Sequence, residues 1–583
     1  MMVGTSPGQE RMSPTLDTEI AAHIWATRYQ AAGEDDVGAT LDRVARAAAS
    51  VEPSDRPGWA RRFRQLMEDL RFMPAGRILA GAGVDRRVTL FNCFVMGQLE
   101  DSLQAIFRSL GESAMTLQHG GGIGLDFSSL RPAGWVAKDS GTVASGPVSF
   151  IRVWDAMSEA MQSGGNRRGA MMATLRCDHP DIEAFIKAKN RPDVLSHCNL
   201  SVQVTDAFIH AVQHDLPWSL RFPAGGDGRE HARVSARALW AKLAATAAEA
   251  SEPGVLFVDT INRENNLAYR EWISATNPCG EVPLPAWGAC NLGSINLTHF
   301  VKRAFTAQAA LDFDGIGETA ALAVRLLDNV IDVSRFPLAA QAREARSTRR
   351  VGLGVTGLAD ALIMLGLRYD QTPARDAARE VLECMRDRAY RASVELASEK
   401  GAFPALDVDA YLERPFIRRL DRELQQDIRR FGIRNSHSLS IAPTGTISLL
   451  AGNISSGIEP VYAPTFSRTV RTGEQDARFE LEDAACRRWR LSGLEGTPGA
   501  LVVAGDIRPE DHLAMLAALQ PLVDNGISKT IPLGDSVEGE GVSDLFLKAH
   551  GMGLKGVTVY RTGHVRGSVV QQSDCAALGA CEL

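Results

Sequence analysis

Strand-like and helix-like segments alternate along most of this chain, and this order limits the possible folds more than any other feature. The apolar segments CNLSVQVT at 198–205 and GVLFVD at 254–259 are typical of buried strands. Segments with apolar residues at helical spacing, such as 235–251 and 322–334, lie between or after them. The alternation continues to about residue 470 and predicts an α/β fold with many parallel strand pairs.

A helical region precedes the alternating part. Two amphipathic patterns fall within 36–70, and a third helix is predicted from DSLQAIFRSLGESAMTLQHG, which starts at Asp101. The chain has 583 residues, too many for one small core. We divide it into four predicted parts, which are a disordered N-terminus at 1–20, a helical region at 21–75, an α/β region at 76–565 and a flexible tail at 566–583.

Charge and hydropathy exclude several classes of partner. The net charge is −7, whereas a duplex-binding protein normally carries a basic face. No apolar run approaches the roughly 18 residues that span a bilayer, and the N-terminus lacks the basic and apolar parts of a secretory signal. The nine cysteines are odd in number and scattered, which does not suit a disulfide scaffold. We expect a cytoplasmic protein that binds neither nucleic acid nor membrane.

The segment NPCGE at 277–281 is the first candidate site. If it is extended, its amide, thiol and carboxyl side chains point to one side, since side chains alternate along a strand. The carboxyl group could then act as a general base beside the thiol. The alternative is a surface turn with an incidental cysteine. A zinc site is disfavoured, because Cys290 lies too far along the chain from Cys279 for a paired thiolate motif.

Three further segments carry weaker signals. In SLSIAPTGTISLLAG at 438–452, a strand leads into a hydroxyl-rich helix start that could hold an anion or could be an ordinary capped helix. The glycines in HGGGIGLDFSSLRP at 119–132 allow close approach of a ligand, although a tight turn explains them better. Cys575 and Cys581 could form a mobile dithiol that exchanges electrons with a distant site, or could be incidental.

Together, these segments resemble the large catalytic chain of ribonucleotide reductases. NPCGE, CNLGSINL, APTGTIS followed by GIEPVYAPTFSR, and FNCF upstream occur in the order of that family. The resemblance runs from about residue 70 to the C-terminus. It implies a ten-stranded α/β barrel of two parallel five-stranded halves, with a central finger loop that carries a radical cysteine, plus the helical N-terminal region.

The resemblance also implies roles for individual residues. Cys279 matches the cysteine that, as a thiyl radical, removes the 3′-hydrogen of a ribonucleotide, while Glu281 matches the general base and Asn277 a residue that hydrogen-bonds the ribose. Cys93 and Cys290 match the two thiols that supply electrons and end as a disulfide. The positions that match substrate contacts are Ala75, Asn92, Gly122 and, in the phosphate loop, Pro443, Thr444, Gly445, Thr446, Ile447 and Ser448.

The classes of this family differ in how the first radical is made. The tandem tyrosines that relay a radical from a separate subunit are absent, because Tyr560 follows Val559, and RTGHVRGSVV does not match a glycyl-radical motif. GVTVYR and GGNRRGAMMATL are similar to the adenosylcobalamin-dependent class II enzymes. The resemblance therefore implies reduction of ribonucleoside diphosphates for DNA synthesis and repair, with adenosylcobalamin as cofactor. No metal-ligating set is predicted, and without an Asp-x-His-x-x-Gly motif the cofactor is expected to bind by shape.

Regulation and partners follow from the same resemblance. Asp101 matches an effector contact, and SGGNRRGAMM at 163–172, with Arg167 and Arg168, matches the loop that relays the identity of a deoxynucleotide or ATP effector. The family's effector site lies at a dimer interface, so we expect a homodimer. The chain begins too close to its barrel to hold the N-terminal ATP cone of many relatives.

The tail and the remaining alternatives complete the predictions. Cys575 and Cys581 match the shuttle tail that thioredoxin or glutaredoxin recharges, although their spacing is longer than usual. Two other interpretations stay open: a reductase chain that depends on a separate radical-generating subunit, and a non-catalytic nucleotide-binding regulator. The presence of all five matched catalytic residues argues against the regulator.

Overall fold

A computed structural model of the chain describes residues 16–136, 141–163, 167–168, 170–190, 194–225, 228–472, 475–534, 537–561 and 570–571. Most of the predicted disordered N-terminus and most of the predicted tail, with Cys575 and Cys581, lie outside these residues. Every helix in the described part is too short or too polar to traverse a lipid bilayer.

The helices, numbered in chain order, are α1 (Glu19–Ile24), α2 (Val37–Ala49), α3 (Arg56–Leu66), α4 (Gly76–Gly81), α5 (Leu103–Gln118), α6 (Pro147–Ala160), α7 (Ile182–Ile186), α8 (Asp206–Gln213), α9 (Ala236–Ala250), α10 (Val258–Arg263), α11 (Phe313–Val333), α12 (Ala339–Thr348), α13 (Leu358–Met364), α14 (Thr372–Lys400), α15 (Val408–Leu412), α16 (Pro415–Arg418), α17 (Arg422–Phe431), α18 (Gly445–Leu450), α19 (Ala484–Leu491), α20 (Pro509–Leu519) and α21 (Gly539–Gly551). A π-helical turn, Trp25–Tyr29, continues α1.

The predicted helices are confirmed, and their starts have a local cause. Asp36, Ser102 and Ser235 precede α2, α5 and α9, and each side-chain oxygen accepts a backbone N–H three residues further on. The helix predicted at 322–334 is part of the longer α11. The strand predicted at 254–259 ends earlier than expected, at Phe257, because the chain turns directly into α10.

The main sheet has ten strands, which are β1 (Phe72–Pro74), β2 (Cys93–Val95), β3 (Gly122–Asp126), β4 (Met171–Arg176), β5 (Cys198–Val204), β6 (Gly254–Phe257), β7 (Ala289–Asn296), β8 (Val351–Thr356), β9 (Thr530–Leu533) and β10 (Gly556–Arg561). Five two- or three-stranded sheets accompany it: Gln162–Ser163 with Arg167–Arg168, Pro217–Phe222 with Arg229–Ser235, Ala275–Thr276 with Pro283–Leu284, Val301–Lys302 with Ala310–Leu311, and Thr465–Thr472 with Gln475–Glu482 and Val570–Gln571.

The strands fall into two parallel sets. Strands β2 to β6 are parallel neighbours in chain order. In the second set, β7 pairs with β8 and β9 pairs with β10, again in parallel. Antiparallel pairs, β7 with β2 and β6 with β10, join the two sets, while β1 adds to β7. The predicted α/β fold with extensive parallel pairing is thus confirmed.

Single bridges continue the second set beyond β8. Leu353 of β8 pairs in parallel with Leu439, and Ile441 pairs in parallel with Ile527, three residues before β9 begins. Within the described ranges, the ladders of named strands do not themselves form a closed ring. Strands β7 and β8 are buried along their whole length, which includes all eight residues of β7 and all six of β8.

A buried ion cluster attaches the N-terminal helices to this body. The Glu52 carboxylate, after α2, accepts two 2.8 Å hydrogen bonds from Arg325 and one from Asn329, both on α11. Lys400 also donates to it at 3.1 Å. Burial opposes ionisation of Glu52, but these donors outweigh it and lower its pKa to about 2. The helical region is therefore fixed to the sheet rather than loosely tethered.

Candidate active site

The NPCGE segment forms the tip of a short hairpin between Ala275–Thr276 and Pro283–Leu284, which we call the finger hairpin (residues 275–284). The condition for alternating side chains, an extended segment, is not met, and the turn that we kept as the alternative is present. The Gly280 N–H donates to the Asn277 carbonyl at 3.1 Å, and the Asn277 side-chain oxygen accepts the Val282 N–H at 2.9 Å. Proline at the second turn position and a glycine at φ +83° favour a turn over a strand.

Strand β3 and three other segments fix the finger hairpin. A Cβ atom on Gly124 of β3 would lie 2.0 Å from the Thr276 carbonyl oxygen, so the hairpin passes directly over this glycine. The Asn199 side chain donates to the Pro278 carbonyl at 3.0 Å. The Glu281 carbonyl accepts from Ser440 Oγ at 2.9 Å and the amide of Gly526 at 2.8 Å. The tip is therefore held from both parallel sets.

The turn brings two of its polar side chains to the thiol of Cys93, which lies on β2. Asn277 Nδ2 donates to Cys93 Sγ at 3.2 Å, and Cys93 Sγ lies 3.8 Å from Glu281 Oε1. All three residues are buried, whereas Cys279 at the turn is half-buried. The structure thus joins two predicted catalytic segments that are remote in sequence.

Cys290 is the cross-strand partner of Cys93. The two residues are directly opposed in the antiparallel register of β2 and β7. Opposed residues in such a pair have Cα atoms about 4.5–5.5 Å apart, which is within the range that a disulfide bridges. Cys290 is fully buried, and its thiol donates to the Asn291 carbonyl at 3.3 Å.

Burial controls the ionisation of this cluster. It raises the pKa of Glu281 to about 7, although contacts with Asn277 and Cys93 partly oppose the increase. Burial also raises the pKa of the Cys93 thiol well above its usual value, and the neighbouring Glu281 carboxylate adds to that effect. Burial likewise raises the pKa of the Cys290 thiol. At neutral pH both thiols therefore keep their protons while Glu281 is poised to exchange one.

Two buried oxygen atoms beside these thiols lack a hydrogen-bond partner among the described residues. They are Glu281 Oε2 and Asn92 Oδ1. Buried polar atoms in folded proteins nearly always have partners, so such atoms on a cavity wall indicate the place of a polar ligand. Both residues line the same cavity.

This cavity encloses about 140 Å³ and contains most of the predicted site. The predicted residues on its wall are Ala75, Asn92, Cys93, Gly122, Asn277, Cys279, Glu281, Pro443, Thr444, Gly445, Thr446 and Ile447. Cys290 lies behind Cys93. Three wall residues, Tyr29, Arg77 and Ser294, were not foreseen from the sequence. Tyr29 ends the π-helical turn and carries no local signal, whereas Arg77 directly follows the predicted contact Ala75 and its neighbouring glycine.

The segment 438–452 provides one wall of the cavity through residues 443–447, which we call the hydroxyl loop. The predicted helix start is confirmed, since α18 begins at Gly445. Thr444 precedes it in the left-handed conformation, with φ 56° and ψ 16°. Ser448 differs from the prediction because its hydroxyl turns into the protein, where it contacts the Gly445 carbonyl and Ser456 Oγ.

Asp101, a predicted effector contact, is not among the described residues that line the cavity. Asp101 precedes α5, and its carboxylate accepts the Arg131 N–H at 3.2 Å and Arg131 Nε at 2.7 Å. Arg167 and Arg168 form a short antiparallel pair with Gln162–Ser163. Within the described ranges, no three His, Cys, Asp or Glu side chains come together as metal ligands.

Comparison with known proteins agrees with this arrangement. The family model described as "Ribonucleotide reductase, barrel domain" matches residues 91–560, and "Ribonucleotide reductase, all-alpha domain" matches residues 15–87. The chain is 39% identical over 580 residues to the vitamin B12-dependent ribonucleoside-diphosphate reductase of Mycobacterium tuberculosis (strain CDC 1551 / Oshkosh), an alignment that covers 94% of this chain and 80% of the relative.

More distant relatives carry similar names. The vitamin B12-dependent ribonucleoside-diphosphate reductase of Thermoplasma acidophilum is 36% identical, with 86% of this chain and 65% of the relative covered. The vitamin B12-dependent ribonucleotide reductase of Streptomyces coelicolor is 30% identical, with 80% and 56% covered. With the barrel-domain match extending over most of its length and the thiol cluster in place, this chain belongs to the ribonucleotide reductase family.

Proposed function

We propose that this chain reduces ribonucleoside diphosphates to 2′-deoxyribonucleotides for DNA synthesis and repair, with adenosylcobalamin as cofactor. The observation that carries the proposal is the meeting of Asn277, Glu281 and Cys93 around one cavity, with Cys290 directly opposite Cys93. The names of the relatives support the choice of cofactor and substrate.

Each side chain has a place in a balanced reaction. Cys279, as a sulfur radical, removes the hydrogen atom from the 3′-carbon and later returns it. Glu281 takes the proton of the 3′-hydroxyl through Oε2, which has no hydrogen-bond partner among the described residues, and later returns it, and Asn277 hydrogen-bonds the ribose. The 2′-hydroxyl leaves as water, and a hydrogen takes its place. Cys93 and Cys290 supply the two electrons and two protons, and a bond between their sulfur atoms forms.

The cavity wall suits a phosphorylated ligand. In this proposal the hydroxyl loop holds the phosphates through its hydroxyls and backbone N–H groups. Ala75, Asn92 and Gly122 contact the rest of the substrate, and Asn92 Oδ1 offers a buried acceptor that lacks a protein partner among the described residues. Ser448 supports the loop from behind instead of touching the ligand.

The residues present fit adenosylcobalamin. Cys279 is half-buried on the cavity wall and so is reachable by a bound group. When bound, the cofactor supplies an organic radical. The protein holds Cys279 in place through the hydrogen bond from Asn199 to the adjacent Pro278 carbonyl.

We also propose a homodimer with an effector site. α5 and α6 expose apolar side chains that a single chain leaves uncovered: Leu103 is 65% exposed, Phe107 54%, Met115 42% and Val153 37%. Leu103 and Phe107 are four residues apart and share one face of α5. Asp101 lies at the start of the same helix and would contact a deoxynucleotide or ATP there, after exchange of its Arg131 partner. Arg167 and Arg168 belong to the proposed relay loop.

The redox cycle requires an external reductant. We propose that Cys575 and Cys581 reduce the Cys93–Cys290 disulfide and are recharged by thioredoxin or glutaredoxin. The last described residues, Val570–Gln571, pair with Arg468 and Ser467. Such thiol chemistry needs a reducing compartment, and we assign the enzyme to the cytoplasm.

One assay tests the central proposal. The purified chain is incubated with a ribonucleoside diphosphate, adenosylcobalamin and dithiothreitol, and deoxynucleotide is quantified. Turnover without any second polypeptide is expected. Strict dependence on a second subunit would instead support the partner-dependent class, and nucleotide binding without turnover under either condition would support a regulator.

A further inference from the structure

The hydroxyl loop contains an unusual backbone conformation. Thr444 has φ 56° and ψ 16°, in the left-handed region that β-branched residues rarely occupy. Such a conformation is unfavourable for residues other than glycine, because Cβ approaches the following carbonyl oxygen too closely. It persists only where surrounding contacts hold it, and these positions cluster at ligand sites.

A series of hydrogen bonds through the Thr444 hydroxyl holds this conformation. Thr356 Oγ1, at the end of β8, lies 3.0 Å from the Ser455 carbonyl and 2.9 Å from Thr444 Oγ1. A hydroxyl has one proton, and a carbonyl only accepts, so the Thr356 proton goes to Ser455. Thr444 must therefore donate to Thr356. Its own oxygen accepts the Gly457 N–H at 2.8 Å.

Further hydrogen bonds hold Ser455, where this series of hydrogen bonds ends. The Ser455 carbonyl also accepts the Gly357 N–H at 2.7 Å, and the Ser455 N–H donates to the buried Asp360 carboxylate at 2.6 Å. Thr356 and Asp360 are both fully buried. Thr356 thus links Thr444 to a fixed point in the body of the protein, where water cannot replace a lost bond.

We propose that Thr356, which does not line the cavity, is a positioning residue for the substrate. Its hydroxyl keeps Thr444 left-handed, and this conformation aims the following residues, Gly445 to Ile447, at the cavity that also holds the unpartnered Glu281 Oε2. The inference rests on the proposed function, because it assigns a cause to the shape of the proposed phosphate loop. The loop is preformed, so binding does not have to order it.

The test compares Thr356→Val, which keeps the shape and removes the hydroxyl, with Thr356→Ser, which keeps the hydroxyl. The dissociation constant of a ribonucleoside diphosphate is measured by calorimetry without cofactor. We expect Thr356→Val to weaken binding about tenfold, the size of one lost buried hydrogen bond. Thr356→Ser should remain close to the parent. In steady-state assays the Val variant should raise KM more than it lowers kcat.

Two controls separate positioning from general stability. Thr348→Val removes another buried hydroxyl, which bonds the Glu344 carbonyl in α12 outside the cavity wall, and should leave nucleotide affinity unchanged. Thr444→Gly adopts the left-handed conformation without a steric cost. In that background, Thr356→Val should have little further effect on affinity, because its action passes through Thr444.

The outcomes are distinguishable. If the parent chain binds no ribonucleoside diphosphate, the proposed function fails. If the parent binds but Thr356→Val has the parent affinity, or Thr356→Ser is as weak as Thr356→Val, the positioning role is overturned. Additive effects of Thr356→Val and Thr444→Gly would also overturn it.

Discussion

Cys93 and Cys290 face each other across the antiparallel pair of β2 and β7, and the Cys93 sulfur also contacts Glu281 and Asn277. One thiol of the pair thus contacts the acid–base residues at the cavity, and the other is buried behind it. This arrangement places a two-electron donor directly next to the proposed reacting sugar.

A single turnover of the double variant Cys575→Ser, Cys581→Ser, whose tail cannot reduce the bond again, should leave a disulfide between Cys93 and Cys290 when no reductant is added. The register places the two residues at bridging distance, so no strand has to move. Peptide mapping under non-reducing conditions detects the linked fragments. Cys290→Ser should form no such link and should lose multiple turnover, whereas Cys384→Ser on α14 should keep activity. A link from Cys93 to any other cysteine would contradict the assignment.

Cys279→Ser should abolish turnover but keep nucleotide binding. A serine hydroxyl holds its hydrogen too strongly to take part in hydrogen-atom transfer, yet it has nearly the same size on the cavity wall. Product formation and the calorimetric dissociation constant of a ribonucleoside diphosphate are measured on the same preparation. Persistence of full turnover would refute the radical role.

Activity should fall as the pH drops below about 7. Burial raises the pKa of Glu281 to about 7, and a general base acts only when it is ionised. Glu281→Gln should lose this acidic limb of the kcat/KM profile and be about 10²–10⁴-fold slower at neutral pH. A parent profile that is flat from pH 6 to pH 8 would argue against Glu281 as base.

The same pKa predicts how stability depends on pH. The pKa of Glu281 is raised to about 7 in the folded chain, so the carboxyl keeps its proton below that pH, whereas in the unfolded chain it ionises near its ordinary pKa of 4.5. Between these values the folded state binds more protons, so the free energy of unfolding should decrease with rising pH by up to about 1.4 kcal/mol per pH unit. Glu281→Gln should remove this contribution. Denaturant titrations of both proteins across this pH range measure the difference.

Gly124→Ala should displace the finger hairpin. The added Cβ would meet the Thr276 carbonyl oxygen at 2.0 Å, and backbone cannot rotate away as a side chain can. We expect a loss of roughly 1–3 kcal/mol in the free energy of unfolding, together with a large decrease in kcat. Gly551→Ala, where no atom lies within 4 Å of the new Cβ, is the matched control. Equal behaviour of the two variants would contradict the close contact.

Phe107→Glu should give a monomer if the exposed face of α5 is the dimer interface. Phe107 is 54% exposed, and a charge at a buried interface lacks a partner. Light scattering after size-exclusion chromatography gives the mass. Leu491→Glu on α19, where the parent residue is 70% exposed, introduces the same charge elsewhere and should leave the mass unchanged. A monomeric parent chain would rule out the proposed interface.

The sequence by itself determined the local structure of this protein and the set of side chains available for its chemistry. Caps such as Asp36 and Ser102 fix helix starts, because they bond backbone groups a few residues away. Asn277, Cys279 and Glu281 could be nominated from their types and spacing, whereas Cys93 and Cys290 were assigned through the family resemblance. Residues 277–281 are not extended, and the local sequence already accounts for this, since Pro278 and Gly280 favour a turn.

Only the tertiary structure decided how these residues work together. The opposition of Cys93 and Cys290 depends on strand register, and the pKa of Glu281 depends on burial by segments remote in sequence. Likewise, Thr444 is left-handed because Thr356 and Gly457 hold it. Neighbouring residues determine turns and caps, whereas register, desolvation and strained conformations exist only after distant segments have packed against each other.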